Sequence, residues 1–306
     1  MFYGSLLCLY GKWQFEVMED YEAALKCVDE GLLLGYDGEA GWLAKFGEEL
    51  VFYQEELGEL NVSEKIKKIP GGLENGIEIE TIDSGEIETF ITNYRDKCKP
   101  VIIKDVVNHW PAFKKWTLEY LYKKIGHRRV PIEIGSKYTD DSWYQRIMPF
   151  KEFISTGMKG YLAQHRLLEQ IPSLKDDIIV PDFAYMTNEI SQLEMNVFIG
   201  PAGTLSPLHC DPRNNLFCQI KGRKFVRLVS PNYNHEDELY LFGDMIRNNS
   251  SAVDVLCPDY KTHPGFRNVV VEDYVMEAGD CLYIPKKYFH CVYSLESSVS
   301  VSVWFD

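Results

Sequence analysis

Residues 203–211 read Gly203-Thr204-Leu205-Ser206-Pro207-Leu208-His209-Cys210-Asp211. On an extended strand, side chains two apart share a face. His209 and Asp211 therefore aim an imidazole and a carboxylate at one point. Two such groups do not close a facial metal site, so a third ligand has to come from another strand. The stretch GDCLYIPKKYFH at 279–290 supplies the candidate, His290. Its spacing is G-x5-P-x4-H, and it follows the first segment's G-x5-H-x-D. The glycines permit the tight turns that bring two strands together. Two imidazoles and a carboxylate on one face of an iron ion leave positions open for a bidentate 2-oxo acid and O₂.

Outward from these segments, strand-like runs recur between turn signals: Met195–Ile199, Leu216–Ile220, Lys224–Val229, Cys281–Ile284, Val292–Leu295 and Val299–Trp304. Many short strands rich in β-branched and aromatic residues predict a double-sheet barrel over about 194–306. Asn232–Val270 carries fewer strand signals and reads as an insertion or long connection. Upstream, Val101–Ile103 reads as a strand, Trp110-Pro111 as a turn, and Leu118–Ile125 and Pro149–Thr156 as short helices, with Pro149 in a first turn.

The first third differs. Tyr21–Gly35 places Ala24, Val28 and Leu32 at helical spacing and ends in Gly35, a C-cap residue. Trp42–Leu60 reads as another amphipathic helix. The pair resembles one tetratricopeptide unit, but no second copy follows, so a small helical cap on the main domain is expected. Pro70-Gly71-Gly72 marks a break. The expected division is a helical region over 1–70 and a catalytic domain over 71–306.

Composition narrows the classes. The chain has 306 residues, 45% apolar and 13% aromatic, enough for a packed core. Its net charge of −14 is uneven: residues 1–98 carry 21 acids and 8 bases, and residues 99–306 carry 25 and 24. No concentrated basic face is indicated, so sequence-specific nucleic-acid binding is not expected. No apolar run reaches membrane-span length, and Met1–Gln14 lacks the basic start and cleavage site of a secretory signal. Eight scattered cysteines without a C-x-x-C pair read as free thiols. His109, His127, His165, His235 and His263 read as ordinary surface or core histidines.

A dicarboxylate 2-oxo acid needs a cation at its far end. Lys224 opens an apolar strand just after the turn at Gly222, and a charge inside a barrel calls for an anionic partner. Asn215, Ser206 and Tyr161 are candidates for further hydrogen bonds.

The two metal segments resemble the paired motifs of the cupin superfamily, with Asp where many members have a second His. The string SPLHCDPRNNLFCQIKGRKFVRLVSP at 206–231, with GYLAQH at 160–165 and IPKKYFH at 284–290, is similar to the JmjC-domain family over roughly Pro100–Asp306. The resemblance implies a mainly β fold, a double-stranded β-helix of cupin or jelly-roll type, preceded by a helical region. It implies Fe(II) on His209, Asp211 and His290. It implies 2-oxoglutarate, the cosubstrate with O₂, near Tyr161, Ser206, Asn215 and Lys224, with Gln164 and Trp304 alongside. The stretch VPIEIGSKYTDDSW at 130–143 matches the family's substrate groove and brings Glu133 and Trp143. A carboxylate beside an aromatic face suits a guanidinium or ammonium. Phe198 stands where a tryptophan is expected, keeping an aromatic wall without the indole N–H.

The expected activity is oxidation of a protein side chain, with arginyl or lysyl C-hydroxylation ahead of N-methyl-lysine demethylation. The expected partner is a basic protein or peptide, such as a histone, ribosomal or chromatin-associated one. A metal-binding cupin of another chemistry, such as an isomerase or small-molecule dioxygenase, and a non-catalytic adaptor docking through residues 1–60 are the remaining alternatives. The family suggests a nuclear or cytoplasmic location.

Overall fold

The computed structural model describes residues 2–62, 65–135, 139, 142–186, 192–245 and 247–306. Ser136, Lys137, Tyr138, Asp140 and Asp141 of the quoted groove stretch lie outside the described residues.

Three helices open the chain: α1 (Phe2–Glu16), α2 (Tyr21–Leu33) and α3 (Trp42–Val51). Asp20 caps α2 by accepting from Ala23 N–H, and Gly35 follows its end at φ +79°, a conformation that glycine adopts without strain. Helix α3 stops at Val51, short of the expected Leu60. Beyond it, Leu60 and Val62 pack against the main core from a non-helical segment. Tertiary burial thus replaces the weak helical pattern interrupted by Gly58.

The strands are β1 (Gly76–Glu78), β2 (Thr81–Asp83), β3 (Val101–Lys104), β4 (Arg129–Ile134), β5 (Tyr144–Pro149), β6 (Leu162–His165) and β7 (Glu194–Gly200). They continue as β8 (Leu205–Cys210), β9 (Asn214–Lys221), β10 (Lys224–Val229), β11 (Val271–Met276), β12 (Cys281–Ile284), β13 (Phe289–Ser294) and β14 (Ser298–Phe305). One sheet runs β1-β11-β10-β13-β8 and the other β2-β3-β12-β9-β14-β7-β6, with β4 and β5 as a separate hairpin. This is the expected cupin-type double sheet preceded by helices.

Two local readings need correction. Pro149 ends β5 in an extended conformation and caps the helix Phe150–Ser155 from outside its first turn. Pro111 does not close a turn but starts the helix Pro111–Lys115, where its missing N–H costs nothing.

Strand β14, SVSVSVWF, shows how sequence sets the layers. Val299, Val301 and Val303 join the large core that holds Trp110, Phe150 and Leu121. Ser300 and Ser302 face the other way and donate to Gln219 Oε1 at 2.7 Å and Asn215 Oδ1 at 2.9 Å. The buried hydroxyls are thereby satisfied. A second apolar cluster, with Ile102, Phe217, Val226, Leu282 and Ile284, fills the space between the sheets. The connection 232–270 covers β10 and β13, burying Leu239, Val253 and Phe266 with Val229 and Phe289. Gly222 turns β9 into β10 at φ +70°; a Cβ there would lie 2.2 Å from Ser297 O, so only glycine fits. No described helix is long and apolar enough to cross a membrane, and all eight cysteines are free.

Candidate metal centre and cosubstrate pocket

The strand pairing brings the expected ligands together. Antiparallel β8 and β13 set His209 directly opposite His290, with ring centroids 4.3 Å apart. Asp211 follows β8 at once. Its Oδ1 lies 3.8 Å from His209 Nε2 and its Oδ2 3.5 Å from His290 Nε2. The potential ligand atoms all fall within 4.8 Å of one another.

Backbone carbonyls hold both rings. His209 Nδ1 lies 2.8 Å from Pro207 O and His290 Nδ1 3.1 Å from Tyr288 O. Each Nδ1–H donates there, which leaves each Nε2 lone pair directed at the common centre. Burial, then the neighbouring His209, lowers the His290 pKa to about 4, so its ring is neutral at pH 7 as ligation requires. Lys287 N–H donates to Asp211 O at 2.7 Å, tying the acid's backbone to the turn before β13. The donor set fits a divalent transition metal. The other five histidines take no part in it.

The centre opens into a cleft of about 660 Å³, mouth included, lined among others by Tyr161, Gln164, Ser206, Asn215, Trp304 and Glu133. Lys224 is fully buried at the start of β10, and its Nζ reaches Tyr161 Oη at 3.4 Å. The rings of Phe217, Tyr161 and Phe198 surround it at 5.0, 5.7 and 5.8 Å. No carboxylate pairs with it among the described residues. Burial pushes its pKa down to about 7. Ser206 hydrogen-bonds the Tyr161 phenol, and burial raises the phenol's pKa. Trp304 Nε1 is buried without a partner among the described residues, a donor left for a ligand in the cleft that Trp304 lines.

Glu133 sits on β4 opposite Gln145 of β5 and exchanges two backbone bonds with Tyr161, at 2.8 and 2.9 Å. Burial raises its pKa. The Trp143 indole N–H faces this carboxylate and lowers its pKa somewhat, without reaching full bonding geometry. Phe198, expected in a substrate wall, lines the cleft and also packs on Tyr161 and Phe217 around Lys224.

Sequence reasoning missed several contributors. Phe217, Leu205, Ile284 and Val292 line the cleft, and Phe217 shares a face of β9 with Asn215 by simple alternation. Asn249 and Ser250 brace β8: Cys210 N–H donates to Asn249 O at 2.9 Å, and Ser250 bridges to His209. No local pattern in 232–270 announced that contact.

A cupin-like domain model matches residues 87–306. The chain belongs to the cupin-like, JmjC-domain family. It is 41% identical over 242 residues to lysine-specific demethylase 8 of Xenopus tropicalis, covering 76% of this chain and 54% of that protein. The Danio rerio protein of the same name is 41% identical over 241 residues, covering 75% of this chain and 58% of the relative. Jumonji C domain-containing protein 5 of Drosophila melanogaster is 37% identical over 242 residues, with coverages of 75% and 60%. The chain thus spans somewhat more than half the length of these curated relatives.

Proposed function

We propose that this chain is an Fe(II)- and 2-oxoglutarate-dependent oxygenase acting on a basic side chain of a protein. The observation that carries the proposal is the pairing of a His209–Asp211–His290 triad with the buried, acid-free Lys224, which reaches the hydroxyl of Tyr161 in the wall of the triad's own cleft. When bound, iron and 2-oxoglutarate together supply oxidation of a substrate C–H bond by O₂, with succinate and CO₂ as co-products.

The chain's residues bind and orient. His209, Asp211 and His290 hold the metal from one side. Lys224 and the Tyr161 hydroxyl receive the far carboxylate of the 2-oxo acid. Asn215 takes the Ser302 hydrogen bond on Oδ1, which leaves its amide N–H for the ligand. Trp304 adds its orphaned indole N–H. Phe198 and Phe217 keep water from the Lys224 pair and so strengthen it. Glu133 and Trp143 receive the cationic end of the substrate and set which carbon meets the metal.

Two products share this machinery. The relatives named lysine-specific demethylases favour removal of an N-methyl group, ahead of the hydroxylation expected from sequence. C-hydroxylation of an unmethylated side chain is the second reading. It is favoured by the single Glu133–Trp143 pair, since an aromatic cage is the usual receptor for methylated ammonium. Mass spectrometry after incubation with Fe(II), 2-oxoglutarate and basic peptides separates them. Methyl loss with formaldehyde marks demethylation, and gain of one oxygen on an unmethylated residue marks hydroxylation. No succinate from any peptide, with the metal bound, would sink the proposal.

A further inference from the structure

We propose that Asp29 is a positioning residue for the substrate groove, so that helix α2 is a working part of the oxygenase site; the inference rests on the proposed function. Asp29 lies mid-helix yet is completely buried, as is its partner Arg128. Arg128 Nε and Nη2 reach Asp29 Oδ1 at 2.8 and 2.7 Å. Desolvation offsets much of what a buried ion pair gains, so the pair is weak evidence for added stability.

The arrangement specified here is that of β4 and β6. Asp29 Oδ2 accepts the N–H of Arg129, the first residue of β4, at 2.7 Å. Gln170 Nε2 donates to Asp29 Oδ1 at 2.8 Å and to Arg129 O at 2.9 Å. That orientation turns Gln170 Oε1 toward His165, whose Nε2–H donates to it at 2.7 Å. Gly47 of α3 leaves room for the guanidinium; a Cβ there would lie 2.8 Å from Arg128 Nη2. One carboxylate therefore fixes both the start of the strand that carries Glu133 and, through Gln170, the residue next to Gln164.

Glu133, Ala163 and Gln164 belong both to the metal cleft and to a larger open groove that runs past Leu33, His165 and Gln170. Of the Asp29 network, Gln170 and His165 line that groove. Gln164 sits at φ +49°, a strained conformation for a residue with a side chain, so it depends on its neighbours being held. Loosening Asp29 lets β4 and β6 shift and blurs the substrate side of the site. It leaves the metal side alone, because His209, Asp211 and His290 stand on β8, the residue after it and β13.

The test compares Asp29→Asn with the wild type in the full chain. Hydrogen exchange is followed in 129–134 and 162–165. Affinity is measured for Mn(II) and for a synthetic peptide bearing arginine and N-methyl-lysine. Expected are faster exchange in both segments, unchanged Mn(II) binding, and peptide affinity weaker by about 10-fold, the usual scale for loss of an orienting partner. In turnover the loss falls on KM rather than kcat. Gln170→Met keeps the Asp29–Arg128 pair but cuts the tie to His165; it is the variant to use should Asp29→Asn not fold, and it should reproduce the exchange of 162–165. A lower melting temperature with unaltered exchange and peptide affinity overturns the proposal. If the wild type turns over no 2-oxoglutarate, the activity reading fails, and exchange alone decides the role of Asp29.

Discussion

Lys224 Nζ lies 3.4 Å from Tyr161 Oη inside a ring of three aromatic side chains, without a carboxylate partner among the described residues. A fully buried ammonium without a counter-ion is a cost to the free protein and a device for binding an anion. Lys224→Met removes the charge while keeping most of the volume. The variant should melt above the wild type without ligand and lose 2-oxoglutarate affinity by at least about 30-fold, from the ~2 kcal/mol or more that a truncated buried charge pair costs. Calorimetry with 2-oxoglutarate and Mn(II) checks both, and unchanged affinity would remove Lys224 from the site.

The same lysine makes binding pH-dependent. Its pKa in the free protein is pushed down to about 7 by burial. A bound carboxylate favours the charged form and raises that pKa. Below pH 7, Lys224 is already charged and contributes no slope. Above it, binding must take up a proton, so affinity falls as pH rises, by up to about tenfold per unit. Titration at slightly alkaline pH in two buffers of different ionisation heat should show uptake approaching one proton. In Lys224→Met the uptake should vanish.

His209 and His290 present Nε2 only because Pro207 O and Tyr288 O hold the opposite nitrogens. Mn(II), used as a redox-stable stand-in for iron, should raise the melting temperature of the wild type; saturation at a hundred times Kd corresponds to about 2.7 kcal/mol. His209→Ala and Asp211→Ala should abolish that rise and leave the unliganded melting temperature nearly unchanged, since both side chains border the open cleft. A metal-dependent shift that survives in Asp211→Ala would place the ion elsewhere.

Much of this centre was legible because its chemistry is local in sequence. His209 and Asp211 lie two apart on an extended run, and Lys224 follows a glycine turn. Strands Lys224–Val229 and Cys281–Ile284 and helix Leu118–Ile125 announce themselves by burial pattern and length. Strand β11, VEDYVM, does not. Its Glu272 and Asp273 look like solvated acids, yet they meet Tyr288 of the turn before β13 and Arg227 of β10. The short β1 and β2 form by parallel pairing with β11 and β3, a purely tertiary event. Asp29 and Arg128 stand far apart in the chain, so no spacing rule links them, and the reading of 1–60 as a cap missed the contact that matters. Phe198 lines the cleft, and its ring also faces Lys224 because it packs on Tyr161, just before β6, and on Phe217 of β9.

Glu133 is the residue whose substitution separates substrate binding from the rest of the chemistry. It is bonded through its backbone to Tyr161, so its side chain can change without moving the strand. Burial raises its carboxyl pKa above the ordinary range. It therefore protonates earlier than a surface acid on acidification, and affinity for a cationic side chain should fall at a correspondingly higher pH. Glu133→Gln keeps the shape and the contact with Gln145 and deletes the charge. It should weaken peptide binding by about 30-fold, again ~2 kcal/mol for a desolvated charge pair left with one partner. Mn(II) and 2-oxoglutarate affinities should stay as in the wild type, and the acid limb of the peptide-binding profile should flatten. If peptide affinity and its pH profile are both unaltered in Glu133→Gln, the substrate's charge is read by another surface, and the Glu133–Trp143 pair is only a brace between β4 and β5.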